Sequence, residues 1–199
     1  MKIIGITGGA GSGKSEVLNY LSKQYGAVIC QADQVAKNLQ KKKTKCYFKI
    51  AEHFGPDILR PDGRLDRKKL ADIVFSDDKE LAMLNAIVHP AVKEKIQETI
   101  KKEEKKQTKL FVLEAALLIE GNYDAICDEI WYIYADEETR KRRLLASRGY
   151  DTEKSEHIFA VQMPSQTFFE RCDRAVDNSG LFESTCVQVD EMIRQLGLN

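Results

Sequence analysis

The sequence predicts an α/β fold: a parallel, five-stranded sheet with helices on both faces. Three observations predict it. Short apolar runs alternate with segments whose apolar residues recur at helical spacing. The first run ends in a glycine-rich turn that leads straight into a helix. A later run, Leu110-Phe111-Val112-Leu113-Glu114, is apolar without alternation, as strands buried on both faces are.

Lys2-Ile3-Ile4-Gly5-Ile6-Thr7 is the first strand, and Val17, Leu18 and Leu21 mark a helix starting at or near Gly13. Between them Gly8-Gly9-Ala10-Gly11-Ser12-Gly13-Lys14-Ser15 fits G-x-x-x-x-G-K-[ST], the phosphate-binding P-loop. Glycines let backbone N–H groups turn inward onto phosphate oxygens, and the helix N-terminus adds partial positive charge. Gly9, Ala10, Gly11, Ser12 and Gly13 line that cradle. Lys14 is placed to reach the β- and γ-phosphates, and the Ser15 hydroxyl to ligate Mg²⁺. The expected ligand is a nucleoside triphosphate.

Ala27-Val28-Ile29-Cys30 is a second strand, followed by a helix carrying Val35, Ala36 and Leu39. Asp33 falls where they meet, the edge at which open α/β sheets bind ligands. It fits an N-cap there equally well. Lys41-Lys42-Lys43-Thr44-Lys45 reads as a solvated face. Phe48, Ile50, Ala51 and Phe54 mark a helix that stops at Gly55-Pro56, and Arg60-Pro61-Asp62-Gly63 is a turn. Leu65-Asp66-Arg67 leads into a helix carrying Leu70, Ile73, Val74 and Phe75, and the next carries Leu81, Leu84, Ile87 and Val88. His89-Pro90 opens a further helix, Pro90 standing near its first position, where a missing N–H costs nothing. Val92, Ile96 and Ile100 form its stripe and Lys101 to Lys106 its solvated end. Residues 34–107 thus read as a helical substrate lobe inserted between strands.

Glu114 ends its strand where a P-loop protein carries its Mg²⁺-side carboxylate, or it is an acidic residue closing a buried strand. Ile130-Trp131-Tyr132-Ile133-Tyr134 is another strand. Asp136 then caps a helix bearing Arg140, Arg142, Arg143 and Arg148, which clamp phosphates or form a solvated face. Beyond the Gly149 break, residues 152–163 form a second helix, so 140–163 reads as a lid. Arg174-Ala175-Val176-Asp177 is the last strand, and Val187, Val189, Met192, Ile193 and Leu196 give the final helix its buried side. One domain of 199 residues is expected, with its core in about 1–33, 108–136 and 170–199.

Basic and acidic residues each total 31, for a formal charge of zero, so no basic field points to nucleic acid or membrane. Five scattered cysteines without a C-x-x-C pair predict reduced thiols and a cytoplasmic setting, with neither a disulfide framework nor a zinc site. The apolar start breaks at Gly8, too short for a signal peptide, and no run approaches a membrane span.

Several blocks carry a more selective pattern. They are Ile6 to Ser15, Ala32-Asp33, Gly63-Arg64-Leu65-Asp66-Arg67, His89-Pro90, Leu117-Leu118-Ile119-Glu120, Gln162 and Asp177-Asn178-Ser179-Gly180. Their combination and order, over nearly the whole chain, resemble the dephospho-coenzyme A kinase family. The resemblance implies a nucleotide-kinase-like P-loop fold. It implies transfer of the γ-phosphoryl group of ATP, with Mg²⁺, to the ribose 3′-hydroxyl of dephospho-CoA, the final step of coenzyme A biosynthesis. By the same resemblance Gly11 to Ser15 hold the ATP phosphates and Asp33 accepts the hydroxyl proton. Arg143 and Arg148 are its lid arginines on the phosphates, and Asn178 lies near the adenine. Lys37, Arg67, His89 and Glu120 contact the acceptor. Lys37 stands where the family usually has arginine, Ala116 where it has proline, Glu16 where it has threonine, and Glu114 where aspartate is common. Two rival readings follow from the P-loop alone. One is another small-molecule kinase, acting on a nucleoside or nucleotide. The other is a nucleotide-gated binding protein, which needs a residue that positions water.

Overall fold

The computed structural model describes residues 1–198. In chain order the elements are β1 (Lys2–Thr7), α1 (Lys14–Tyr25), β2 (Val28–Gln31), α2 (Ala32–Leu39), α3 (Lys45–Phe54), α4 (Arg67–Ser76), α5 (Asp78–Lys105), β3 (Leu110–Glu114), β4 (Glu129–Tyr134), α6 (Glu137–Arg148), α7 (Thr152–Ala160), α8 (Ser165–Arg171), β5 (Arg174–Asp177) and α9 (Phe182–Gln195). Short 3₁₀ turns lie at Pro56–Ile58 and Asp124–Ile126.

The strands form one five-stranded sheet in the order β2-β3-β1-β4-β5. β1 pairs in parallel with β3 from Lys2↔Leu110 to Ile6↔Glu114, and with β4 from Ile4↔Glu129 to Thr7↔Tyr132. β4 pairs in parallel with β5, from Trp131↔Arg174 to Tyr134↔Asp177. β1 is therefore central, and the loop at its carboxyl end leaves from the middle of the sheet edge. All five residues of β3 are buried, which requires cover on both faces. On one face Val17, Leu18 and Leu21 of α1 and Val189 and Ile193 of α9 pack into a cluster with Ile4, Ile6, Trp131 and Ile133. On the other, Phe168 of α8 stacks on Tyr132 of β4 with centroids 4.7 Å apart.

The chain divides into two compact units, one of residues 1–30 with the stretch from Glu103 onward, the other Gln31–Lys102. The second is helical. Within it Thr44 caps α3 by accepting from Tyr47 N, and Asp66 caps α4 by accepting from Lys68 N and Lys69 N. No helix among the described residues is long and apolar enough to cross a membrane.

The structure departs from the sequence prediction in four places. The two helices expected either side of His89 are one, α5, with Pro90 inside it. Val88, Val92, Ile96 and Ile100 recur every four residues and are all buried, and that continuous stripe outweighs the cost of about 3 kcal/mol for an interior proline. Glu103, in the supposedly solvated end, is buried and accepts from Lys106 Nζ at 2.7 Å and Thr108 Oγ1 at 2.9 Å. The expected helix over 152–163 ends at Ala160, and a separate helix, α8, follows Pro164. Val187, expected in the core, is 68% exposed, and α9 buries Thr185 instead.

Candidate active site

The P-loop joins β1 to α1 within the sheet-bearing unit. Gly13 is the N-cap of α1 with φ 86°, a left-handed conformation that favours glycine. A Cβ there would lie 2.2 Å from Asn178 Nδ2, and one at Gly9 would lie 2.4 Å from Arg140 Nη2. The loop is thus both turned and closely packed, with side chains excluded from the cradle. Asn178, fully buried just beyond β5, donates from Nδ2 to Ser12 O at 2.8 Å, while its Oδ1 accepts from Thr185 Oγ1 at 2.8 Å. Its amide supports the loop from beneath; the family resemblance had put it near the adenine. The hydroxyls of Thr7 and Ser12 are buried and have no hydrogen-bond partner among the described residues, which suits a ligand rich in acceptors.

Three cations converge on the loop, each held by its carbonyl oxygens. Lys14 Nζ donates to Gly8 O at 2.7 Å and Gly9 O at 3.1 Å. Arg140 Nε donates to Ala10 O at 2.8 Å, and Arg143 Nη1 to Ser12 O at 3.4 Å. α6 can present both arginines because they are three residues apart and share a helix face. Its start is fixed by Asp136, which accepts from Thr139 N at 2.8 Å while its own N–H donates to Ser179 Oγ at 2.9 Å. Arg140 is further secured. Its Nη2 donates to Gln162 Oε1 at 2.7 Å, its guanidinium lies 3.9 Å from the centroid of the Phe159 ring, and Gln162 Oε1 also accepts from Ala10 N at 3.3 Å. Burial lowers the Arg140 pKa, but a guanidinium stays charged. Arg148, at the exposed end of α6, instead faces the Tyr150 ring at 5.9 Å. Among the described residues it makes no hydrogen bond to the loop.

Ser15 sits exposed in the first turn of α1, and Glu114 ends β3 opposite Ile6 with 8% exposure. Among the described residues no three His, Cys, Asp or Glu side chains group as a metal cage. A hydroxyl and a carboxylate are hard oxygen donors, and Mg²⁺ takes one or two of these while keeping water and phosphate oxygens. The residues fit that ion.

In the helical unit, Asp33 lies in the first turn of α2, but Gln31 is the N-cap and no side chain caps this helix. The capping role for Asp33 is therefore excluded. Its carboxylate is exposed. Lys37, one turn on, is exposed, and its carbonyl accepts from Arg67 Nη2 at 3.4 Å. His89 is exposed within α5. Glu120, the remaining residue expected at the acceptor, is exposed in the other unit, in the stretch after β3.

Arg140 was expected only as one of four candidate arginines, and Gln162 belonged to the family pattern without an assigned role. The i, i+3 spacing with Arg143 was a usable signal for Arg140. Gln162 stands 22 positions from Arg140, and no periodicity links them.

A family model for dephospho-CoA kinase matches residues 2–183. A protein named dephospho-CoA kinase from Symbiobacterium thermophilum is 40% identical over 190 residues, covering 96% of this chain and 79% of the relative. Another of that name from Geobacter sulfurreducens is 37% identical, covering 96% and 97%. The solved structure of TT1252 from Thermus thermophilus superposes with a TM-score of 0.84 at 31% identity, covering 98% and 97%. A dephospho-CoA kinase structure from Campylobacter jejuni, at 23% identity and TM-score 0.73 over 99% and 100%, shares the fold.

Proposed function

This chain belongs to the dephospho-CoA kinase family, and from that premise we propose how its residues carry the γ-phosphoryl group of ATP to the ribose 3′-hydroxyl of dephospho-CoA. It is an ATP-dependent kinase. Phosphoryl transfer asks little covalent chemistry of a protein; it asks for alignment, charge neutralisation and exclusion of water.

The observation that carries the assignment is the glycine cradle with Lys14, Arg140 and Arg143 held on its carbonyl oxygens. Backbone N–H groups of Gly11 to Ser15 bind the phosphates. Lys14 and the two arginines oppose the charge spread over the transferring phosphoryl oxygens, an effect that grows as water is excluded. Mg²⁺, when bound, would neutralise phosphate charge, and Ser15 is the residue that would hold it, with Glu114 at the end of β3 as the acidic candidate. Asp33 accepts the proton of the 3′-hydroxyl as that oxygen bonds to the γ-phosphorus, whose bond to the β,γ-bridging oxygen breaks and releases ADP. Lys37, Arg67, His89 and Glu120 are assigned to the acceptor. Residues 140–163 act as the lid, with Arg140 and Gln162 joining it to the loop at Ala10. Arg148, which faces the Tyr150 ring, is assigned to the lid beside Arg140 and Arg143.

All five cysteines are free, and burial pushes Cys30 and Cys172 up to about 11 and Cys127 up to about 12. Inert thiols support a reducing, cytoplasmic setting.

A coupled assay comparing dephospho-CoA, adenosine and AMP as acceptors tests the function. Dephospho-CoA should give much the highest kcat/KM, and chelating Mg²⁺ should abolish turnover. A preference for AMP or adenosine would assign the chain to another nucleotide or nucleoside kinase. Acceptor-independent ATP hydrolysis as the main reaction would favour a nucleotide-gated switch.

A further inference from the structure

The helical unit Gln31–Lys102 contains a cleft of about 480 Å³, lined by Gln40, Lys41, Lys42, Arg60, Arg64, Leu65 and Arg67. Five of these seven residues are cationic, in a chain whose formal charge is zero. Such concentration on a concave wall focuses positive potential and calls for an anionic ligand.

The wall is built to hold its shape. Leu59 and Leu65 form an antiparallel bridge, Arg60 N donates to Arg64 O at 2.8 Å, and Gly63 N donates to Arg60 O at 2.8 Å. This tight turn holds Arg60 and Arg64 together at its base. Tyr47 Oη donates to Gly63 O at 2.6 Å and Lys42 Nζ to Asp62 O at 3.0 Å, anchoring the turn to its neighbours. Gly63 has φ 76°, and a Cβ there would lie 2.8 Å from Lys42 Nζ, so the lysine lies directly against the turn.

Two carboxylates answer the five cations. Asp62 pairs with Arg64 at 2.6 Å, and Asp66 stands 4.0 Å from Arg60 while also capping α4. Arg67 is held by the Lys37 carbonyl, and the Lys41 ammonium has no partner among the described residues. A net excess of positive charge remains.

Within the same unit, α2 links this cleft to Asp33. Asp33 lies in its first turn, and Gln40 and Lys41 follow its last residue. At 1.5 Å per residue, Asp33 and Gln40 are separated by roughly 10 Å along the helix. A ribose 3′-hydroxyl and the 5′-diphosphate of the same nucleotide lie somewhat closer together than that, and the long lysine and arginine side chains at the cleft can close the difference. Dephospho-CoA carries such a diphosphate, joining its adenosine to pantetheine.

We propose that this cleft is the subsite for the acceptor's diphosphate, with Lys41, Arg64 and Arg67 as its principal ligands and Lys42 and Arg60 completing its field. Guanidinium forks match phosphate oxygens in pairs, and the lysines add point charge. The subsite lets the enzyme prefer an acceptor with a diphosphate over a bare nucleoside. The proposal rests on the acceptor assignment made above.

The test compares dephospho-CoA with adenosine, which offers the 3′-hydroxyl without the diphosphate. Lys41→Ala and Arg64→Ala, both at exposed positions, are assayed singly and together. Each lost charged contact should lower the ratio of kcat/KM for dephospho-CoA to that for adenosine by about tenfold. The KM for ATP should stay constant, and Arg64→Lys should recover part of the ratio. If adenosine turns over too slowly to rank, calorimetric affinities for dephospho-CoA and for ATP replace the ratio, with the loss expected for dephospho-CoA alone. Should Arg64→Ala fail to fold, Lys41→Glu carries the same test. An unchanged ratio in an enzyme that uses dephospho-CoA well would overturn the subsite. So would equal losses on both acceptors. A wild-type enzyme that ignores dephospho-CoA would instead overturn the acceptor assignment.

Discussion

Ser12 O accepts from Asn178 Nδ2 and from Arg143 Nη1, so one carbonyl ties the end of β5 and the face of α6 to the P-loop. Truncating Asn178 leaves Ser12 O without its buried amide donor and Thr185 Oγ1 with only the longer bond to Asp177 O at 3.3 Å. Asn178→Ala should therefore cost about 1–3 kcal/mol of stability. Because the loop it supports holds the donor, the KM for ATP should rise more than the KM for dephospho-CoA. Denaturant titration and steady-state kinetics check this, and equal rises in the two KM values would contradict it. At this scale the sequence was legible wherever a role is local. The P-loop lies within eight consecutive positions, and its geometry follows from glycine, lysine and hydroxyl in that order. Asn178 meets Ser12 across 166 positions, so its residue type was visible but its partner was not. Arg148 was expected on the phosphates because it closes an arginine cluster, yet five positions beyond Arg143 it lies past the turn that faces the loop.

The strands are held to one another by more than their ladders. Glu129 at the start of β4 accepts from Arg174 Nε at 2.8 Å and Nη2 at 3.2 Å on β5, and from Trp131 Nε1 at 3.0 Å. Burial opposes its ionisation, but the bonds from Arg174 and Trp131 prevail and hold its carboxyl below the usual range. A group with a depressed folded pKa stabilises the fold above its unfolded pKa, about 4.3 for glutamate, and loses that contribution as pH falls through the folded value. Glu129→Gln should cost about 1.5–3 kcal/mol near neutrality, the range for hydrogen bonds to charged groups. The gap between wild type and variant should narrow as pH falls from about 4.3 through the depressed folded value, where the native carboxylate takes up its proton. Urea titrations across that range measure it; a gap independent of pH would show that charge plays no part. Strands and most helices were legible here because apolar runs and 3.6-residue periodicity are local signals. Pro90 misled because a proline at a helix start and one tolerated inside a helix look alike until the stripe from Val88 to Ile100 is known to be buried as a whole. α8 was missed because its seven residues span barely two turns, and what stabilises it is Phe168 stacking on Tyr132.

For the whole molecule, parallel strands were predictable from the uninterrupted apolar run of β3, but the order β2-β3-β1-β4-β5 was not, since it depends on which edges pair. The helical insertion was legible as a stretch without strands, and the chain does form a separate compact unit over Gln31–Lys102. Its basic cleft was not, because Lys41 and Lys42 read as one solvated run until the turn at 60–64 folds against them. The account assigns the donor to the sheet-bearing unit, through Lys14 and its loop, and the acceptor's proton to Asp33 of the helical unit. Asp33→Asn keeps the size and polarity of the side chain and removes its basicity. A general base contributes roughly 10²–10⁴-fold to the chemical step. The most direct measurement is steady-state kinetics of Asp33→Asn with dephospho-CoA, beside its affinity for ATP. The account predicts a fall in kcat of that size with ATP affinity almost unchanged. A variant that folds and retains wild-type kcat would contradict it.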